Sequence, residues 1–170
     1  MEITAVSPTI FSIRCGLNEA GVAISGNGLP LYNTNPHPER NYSIIYQSLY
    51  QIILQNSHNI TDAIRIVNSF NFGSGVTFQV HVADANGNAY VVSPDADGEM
   101  VITRKSGDYL ISTNTNIAEI ERGVADTRTE MAKVMLERGQ NYSKDTVKNT
   151  LQCVRANNYE GILTTQPFLT

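Results

Sequence analysis

The stretch "CGLNEAGVAISGNGLP", Cys15–Pro30, places a thiol ahead of two glycine-punctuated strands that end in Asn27-Gly28. A cysteine attacks as its thiolate, and it needs a neighbouring base or cation to reach that state. Arg14 is next in sequence, but strand alternation sends it to the other face. Cys15 therefore reads as a packed strand-end thiol, the wall of a site rather than its nucleophile. Cys153 falls in a helical pattern and reads as filler. His37, His58 and His81 are far apart, with no HxxxH or HExxH spacing, and two cysteines give neither a disulfide framework nor a zinc pattern. No metal site is expected. His81, on the polar side of its strand, reads as a hydrogen-bonded sheet residue. Asn18 and Glu19 in the "GLNEAG" turn either touch a substrate or serve the turn itself, since Asn tolerates left-handed backbone. By itself Asn114 is a strand-end asparagine, and Arg128 a solvated helix residue within reach of Asp126 or Glu130.

The elements that must position these residues follow from periodicity. "TIFSIR" and "GVAIS" read as strands joined by the "GLNEAG" turn, and Pro30, Pro36 and Pro38 mark an irregular connection. "ERNYSIIYQSLYQIILQN" puts Ile45, Leu49, Ile52 and Ile53 on one helical stripe. "NITDAIRIVNSF" predicts a second helix capped by Asn59, with Asp62 near its positive end and Ile60, Ala63, Ile64 and Val67 facing the core. The period then changes to two. "VTFQVHVAD" points Val76, Phe78, Val80 and Val82 one way, and Asn86-Gly87 signals a type I′ hairpin. "NAYVVSP", "EMVITRK" and "DYLISTN" continue it as a four-strand antiparallel meander. "ADTRTEMAKVMLERG" and "SKDTVKNTLQCV" predict two closing helices, the first stopping at Gly139 as a C′ residue and the second capped by Ser143. Strands in blocks and helices in blocks argue for an α+β fold, two antiparallel sheets layered between helices, in one domain spanning 1–170.

Composition bounds the function. Hydrophobic residues make up 41% and charged residues 16%, so the chain can bury a core. There are 12 basic and 16 acidic side chains and no basic cluster, which argues against a nucleic-acid partner. No apolar run approaches the roughly 20 residues of a membrane span. The first residues lack a positive n-region and an apolar h-region, so a cytoplasmic protein is expected.

Three stretches in one order, "GLNEAGVAISGNGL", "DANGNAYVVS" and "ISTNTN", have helices between and after them. In this the chain resembles the choloylglycine hydrolase and isopenicillin N acyltransferase-like group of cysteine N-terminal-nucleophile (Ntn) hydrolases, from about Cys15 to Leu151. The resemblance implies an αββα sandwich and cleavage of linear, non-peptide amides through a cysteine thioester, by hydrolysis or acyl transfer. It implies Asn114, of the "TN" pair, and the Gly28 N–H as oxyanion donors, with Asn116 as the weaker register for the first. It implies Arg128, after Thr127, as an organiser of the nucleophile end, and Asn27 and Asn18 as substrate-contacting positions. The implied partner is a small amide or an acyl donor, with no metal or organic cofactor.

One departure matters. In the group, the nucleophilic cysteine opens a strand well upstream of "GxNExGL", followed by an acidic residue and an arginine. That pattern does not occur here. The chain is thus expected to match the middle and later part of such an enzyme, with the nucleophile on a missing or partner segment, an open apolar sheet edge and no activity in isolation. Two alternatives follow: a non-catalytic Ntn-fold remnant serving binding or assembly, and a self-associating sheet protein forming a homo-oligomer.

Overall fold

The computed structural model describes residues 3–5, 15–43, 46–139 and 142–154. The expected strand "TIFSIR" and the helix position Ile45 lie outside them. The contacts divide the chain into two compact units, Met1–Leu110 and Ile111–Thr170. The first holds β1 (Ile3–Ala5), β2 (Cys15–Asn18), β3 (Ala23–Asn33), β4 (Tyr42–Ser43), α1 (Tyr46–Asn56), α2 (Ile60–Asn68), β5 (Phe70–Asn71), β6 (Gly75–Ala83), β7 (Ala89–Pro94) and β8 (Met100–Arg104). The second holds α3 (Ile117–Ile120), α4 (Thr127–Arg138) and α5 (Lys144–Val154).

The first unit is built on a six-stranded antiparallel sheet of order β1-β2-β3-β6-β7-β8. The two facing sheets expected from sequence are represented among the described residues by this one sheet and a short parallel pair, β4–β5. "DYLISTN", expected as the last strand of the meander, forms no strand: residues 105–116 are irregular. A strand exists only through its ladder, and this segment is anchored through side chains, the hydroxyls of Thr113 and Thr115 both donating to the Asp126 carboxylate. In β3 the irregular connection expected at Pro30 is a register shift between Gly28 and Tyr32, after which pairing with β6 resumes. A proline has no N–H for a ladder, so a bulge is where a strand can hold one.

α1 and α2 lie on one face of the sheet. Leu49, Tyr50, Ile53 and Leu54 of α1 and Ile60, Ala63, Ile66 and Val67 of α2 pack with Ile24, Val76, Phe78, Val80, Val82, Tyr90 and Val92. Alternation along β6 puts its valines on that face, as the sequence predicts. Asn59 caps α2, accepting from the N–H groups of Thr61 and Asp62 at 2.9 and 3.1 Å. Asp62 reaches back to the His58 N–H at 3.0 Å. Helix burial runs through Ile66, while Ile64 is only partly covered.

Two hairpin tips repeat one motif, Asp84-Ala85-Asn86-Gly87-Asn88 and Asp95-Ala96-Asp97-Gly98-Glu99. Each closes between its first and fifth residues, so the type I′ turn expected at Asn86-Gly87 is a longer loop. The leading carboxylate is the reason. Asp84 accepts from the Asn86 and Asn88 N–H groups, and Gly87 supplies the left-handed backbone at φ 79°. Asp84 also accepts from the Ile60 N–H at 3.2 Å, tying the hairpin to the start of α2. Burial pushes its carboxyl up, but the bonds from Asn88, Ile60 and Asn86 outweigh this and hold it below the usual range.

Gly26 sets how closely α1 meets the sheet. A Cβ there would lie 1.8 Å from the Tyr50 hydroxyl and 2.9 Å from its ring carbon. Gly26→Ala is therefore expected to force Tyr50 away and destabilise the first unit by about 1–3 kcal/mol. Urea unfolding followed by far-ultraviolet circular dichroism checks this. Unchanged stability would mean that Tyr50 moves aside freely.

Candidate active site

The second unit gathers the strongest candidates. The stretch Thr113-Asn114-Thr115-Asn116 leads into α3, and Asp126 precedes α4. The hydroxyls of Thr113 and Thr115 both donate to the Asp126 carboxylate at 2.9 Å. Asp126 also caps α4, accepting from the Thr129 N–H at 2.8 Å and from the Thr129 hydroxyl. Burial pushes its carboxyl up, but the Thr129, Thr113 and Thr115 donors outweigh that and hold it below the ordinary range. The carboxylate thus clamps the two residues that flank Asn114.

Asn114 itself meets Arg128, whose Nη1 donates to Asn114 Oδ1 at 2.9 Å. A guanidinium can only donate, so it selects the carbonyl end of the carboxamide and directs the Nδ2 amide the other way. The Nε of Arg128 donates to the Val154 carbonyl at 2.9 Å, at the C-terminal end of α5. One arginine thus joins the start of α4, the end of α5 and Asn114. The pairing of Arg128 with Asp126 or Glu130 considered from sequence is replaced by these two bonds. Asn116 is buried and caps α3, accepting from the Ala118 N–H at 3.0 Å.

The remaining candidates lie in the first unit. Gly28 is exposed in β3 opposite Phe78, and Asn27 is half-buried opposite Gln79. Asn18 is 4% exposed and structurally engaged. Its Nδ2 donates to the carbonyls of Leu54 and Ser57 at 2.9 and 2.8 Å, and its Oδ1 accepts from the Val22 N–H. It closes the end of α1, where carbonyls lack helical partners. Both amide protons are committed there, so substrate contact through Asn18 has no donor left. Cys15 is buried and pairs with Ser25, which pairs in turn with His81. A strand therefore separates thiol from imidazole, about 10 Å at two strand spacings. Burial pushes the His81 ring down to about 4, so it is neutral at physiological pH. Cys153 is exposed on α5, in a shallow groove beside Met131, Val134 and Met135. Among the described residues no cluster of His, Cys, Asp and Glu could hold a metal ion, and no helix is long and apolar enough to cross a membrane.

Sequence reasoning missed Asp126 as the hub of this arrangement. The signal was present as an N-cap pattern, Asp126 with Thr129 three residues on. Replacing Asp126 by Ala is expected to cost about 1–2 kcal/mol through the cap alone. The sign with pH follows from its lowered carboxyl: its contribution is full above the unfolded value and is lost as pH falls through the folded one. In thermal unfolding, Asp126→Asn should lose less stability than the parent on acidification below about pH 4. Parallel acid limbs for the two proteins would remove Asp126 from this role.

The comparisons with known proteins agree with one another. Penicillin V acylase from Agrobacterium tumefaciens superposes with a TM-score of 0.56 at 17% identity, over 90% of this chain and 49% of the other. Two variants of conjugated bile acid hydrolase from Clostridium perfringens give TM-scores of 0.52 and 0.50 at 16% identity, each over 79% of this chain and 42% of the other. The chain thus spans about half the length of these solved structures or less. At such identities the likeness shows the fold, which is part of the Ntn-hydrolase architecture. No curated protein matches by sequence. The model of the acyl-coenzyme A:6-aminopenicillanic acid acyl-transferase family matches residues 4–162. The chain therefore belongs to that family, within the choloylglycine hydrolase group of Ntn hydrolases.

Proposed function

We propose that this chain is the oxyanion-binding part of an enzyme that hydrolyses linear amides, or transfers their acyl group, through a cysteine thioester. The observation that carries this reading is the Arg128–Asn114 bond. An oxyanion needs donors fixed in place, and an asparagine serves only if its amide cannot flip to present oxygen. Arg128 prevents the flip, and the Asp126 clamp on Thr113 and Thr115 holds the backbone on both sides. The Gly28 N–H is the second donor in this reading, and Asn27 a substrate contact, both carried by the motif they occupy. The attacking cysteine comes from polypeptide outside these 170 residues, in cis or as a partner. Neither Cys15, buried a strand away from His81, nor Cys153 on α5 is assigned that part. The α-amino group of such an N-terminal cysteine would serve as base. The family name adds acyl-coenzyme A as a candidate donor, and the solved neighbours add penicillin V and conjugated bile acids as candidate amides.

The separation of Cys15 from His81 favours a second reading, a non-catalytic module that binds an acyl amide without cleaving it. Turnover separates the two. The test is release of the amine from penicillin V, a glycine-conjugated bile acid and a simple N-acyl amino acid, by the protein expressed with its native flanking sequence. Asn114→Ala should lower kcat about 10²–10³-fold. Arg128→Ala should lower it less, and Arg128→Lys should not restore it, because lysine lacks the planar fork that serves two acceptors. Turnover unaffected by Asn114→Ala would remove the oxyanion assignment, and binding without turnover would establish the module.

A further inference from the structure

α4 is apolar on two sides. Ala132 and Leu136, four residues apart, are buried and seat the helix within its unit. Met131 and Val134 lie on another side and are 47% and 42% exposed. With Met135, Glu130, Arg138 and Cys153 of α5 they line a shallow groove. Met131, Val134 and Arg138 follow at intervals of three and four, the seam spacing of helices that pair with each other. The helix that carries Arg128 thus presents an apolar seam outward.

The charges around the seam indicate what covers it. Glu130 and Arg138 stand one turn before and one turn after Val134, about 6 Å along the helix in each direction. Both are exposed, and among the described residues neither has an ion-pair partner. Lys133 and Glu137 flank them and offset each other, so the face carries no net charge. Such a face does not repel a copy of itself, whereas a strongly acidic or basic partner would find nothing to match.

We infer that α4 is a self-association surface, on which two copies of this chain pair antiparallel across a two-fold axis beside Val134. A two-fold axis sets one patch against itself, so residue i meets j and j meets i. With the helices antiparallel about Val134, Glu130 of each copy comes level with the partner's Arg138, and two equivalent ion pairs form. Between them Met131 and Val134 of each copy enter the groove of the other. Parallel pairing would set Glu130 against Glu130 and Arg138 against Arg138, so charge selects the antiparallel arrangement. The seam is about two turns long, which makes the dimer weak and dependent on concentration. Pairing covers the exposed side of the helix whose Arg128 holds Asn114 and the Val154 carbonyl.

Sedimentation equilibrium of the 170-residue chain tests this, over a roughly hundred-fold range of concentration and under reducing conditions so that the exposed Cys153 cannot link copies. A monomer–dimer equilibrium is expected. Val134→Glu should abolish it and leave the far-ultraviolet circular dichroism unchanged. Glu130→Arg and Arg138→Glu should each weaken dimerisation about five- to ten-fold, since each sets like charges across the axis twice. An equimolar mixture of those two variants should form a heterodimer as tight as the parent dimer, because each copy then supplies the charges that the other lacks. A variant that had merely misfolded could not do this. A monomer at every concentration overturns the proposal and leaves the groove to polypeptide outside this chain. A dimer indifferent to Val134→Glu, or a mixture no tighter than its components, overturns it too.

Discussion

The first unit depends on an absence, the side chain that Gly26 does not have. Tyr50 occupies that space, and α1 can therefore lie flush on the sheet. The contact places Leu49, Ile53 and Leu54 against Ile24 and Val80, where apolar area leaves water at about 25 cal/mol per Å². Any residue with a Cβ at position 26 would meet the Tyr50 hydroxyl and force that ring out of its place. The polar groups at the margin follow from this seat. Asn18 satisfies the carbonyls at the end of α1, and Asp84 satisfies an N–H at the start of α2. One end of each helix is thus bonded by a side chain at a turn of the sheet.

The second unit is organised by charge instead. Asp126 stands at the N-terminal end of α4, where the helix dipole favours its sign, and Arg128, in the first turn of that helix, reaches the C-terminal end of α5, where the dipole favours a cation. Among the described residues the two are not paired with each other; each is matched to neutral partners. That matters for Asn114. A neutral carboxamide oriented by a guanidinium keeps its donor polarity without adding a negative charge beside it. An anion approaching the amide would meet partial positive charge backed by a cation.

Much of this fold was legible in the sequence because its signals are local. The alternation of β6, the stripe of α2 and the Asn59 cap each need fewer than ten adjacent residues to be seen. The glycines of both hairpins were legible too, but not the loop length, because that is set by Asp84 and Asp95 bonding forward to the N–H groups beyond. What escaped depends on distant partners. The contact of Asp84 with Ile60 spans the whole of α2, and nothing in "GNG" announces Tyr50 of α1. "DYLISTN" has a strand's composition without a ladder. At the site, the family motif singled out Asn114 and Arg128, but Asp126 was passed over as a possible partner for the arginine. Asn18 was ambiguous between turn and substrate, and only the position of α1 shows where its protons go.

The four residues from Thr113 to Asn116 have one further property. Their side chains serve alternate masters: both threonines face one carboxylate, the asparagine between them faces a cation, and the last closes a helix. Such a segment is intolerant of indels in a way that depends on parity. Inserting one residue would exchange the threonine and asparagine positions, setting an amide against Asp126 and a hydroxyl against Arg128. Inserting two would restore the alternation but carry Asn116 away from the start of α3. Length here is as constrained as composition, so lineages that retain this arrangement should vary in the loop before Tyr109 and not in the five residues that follow Ile111.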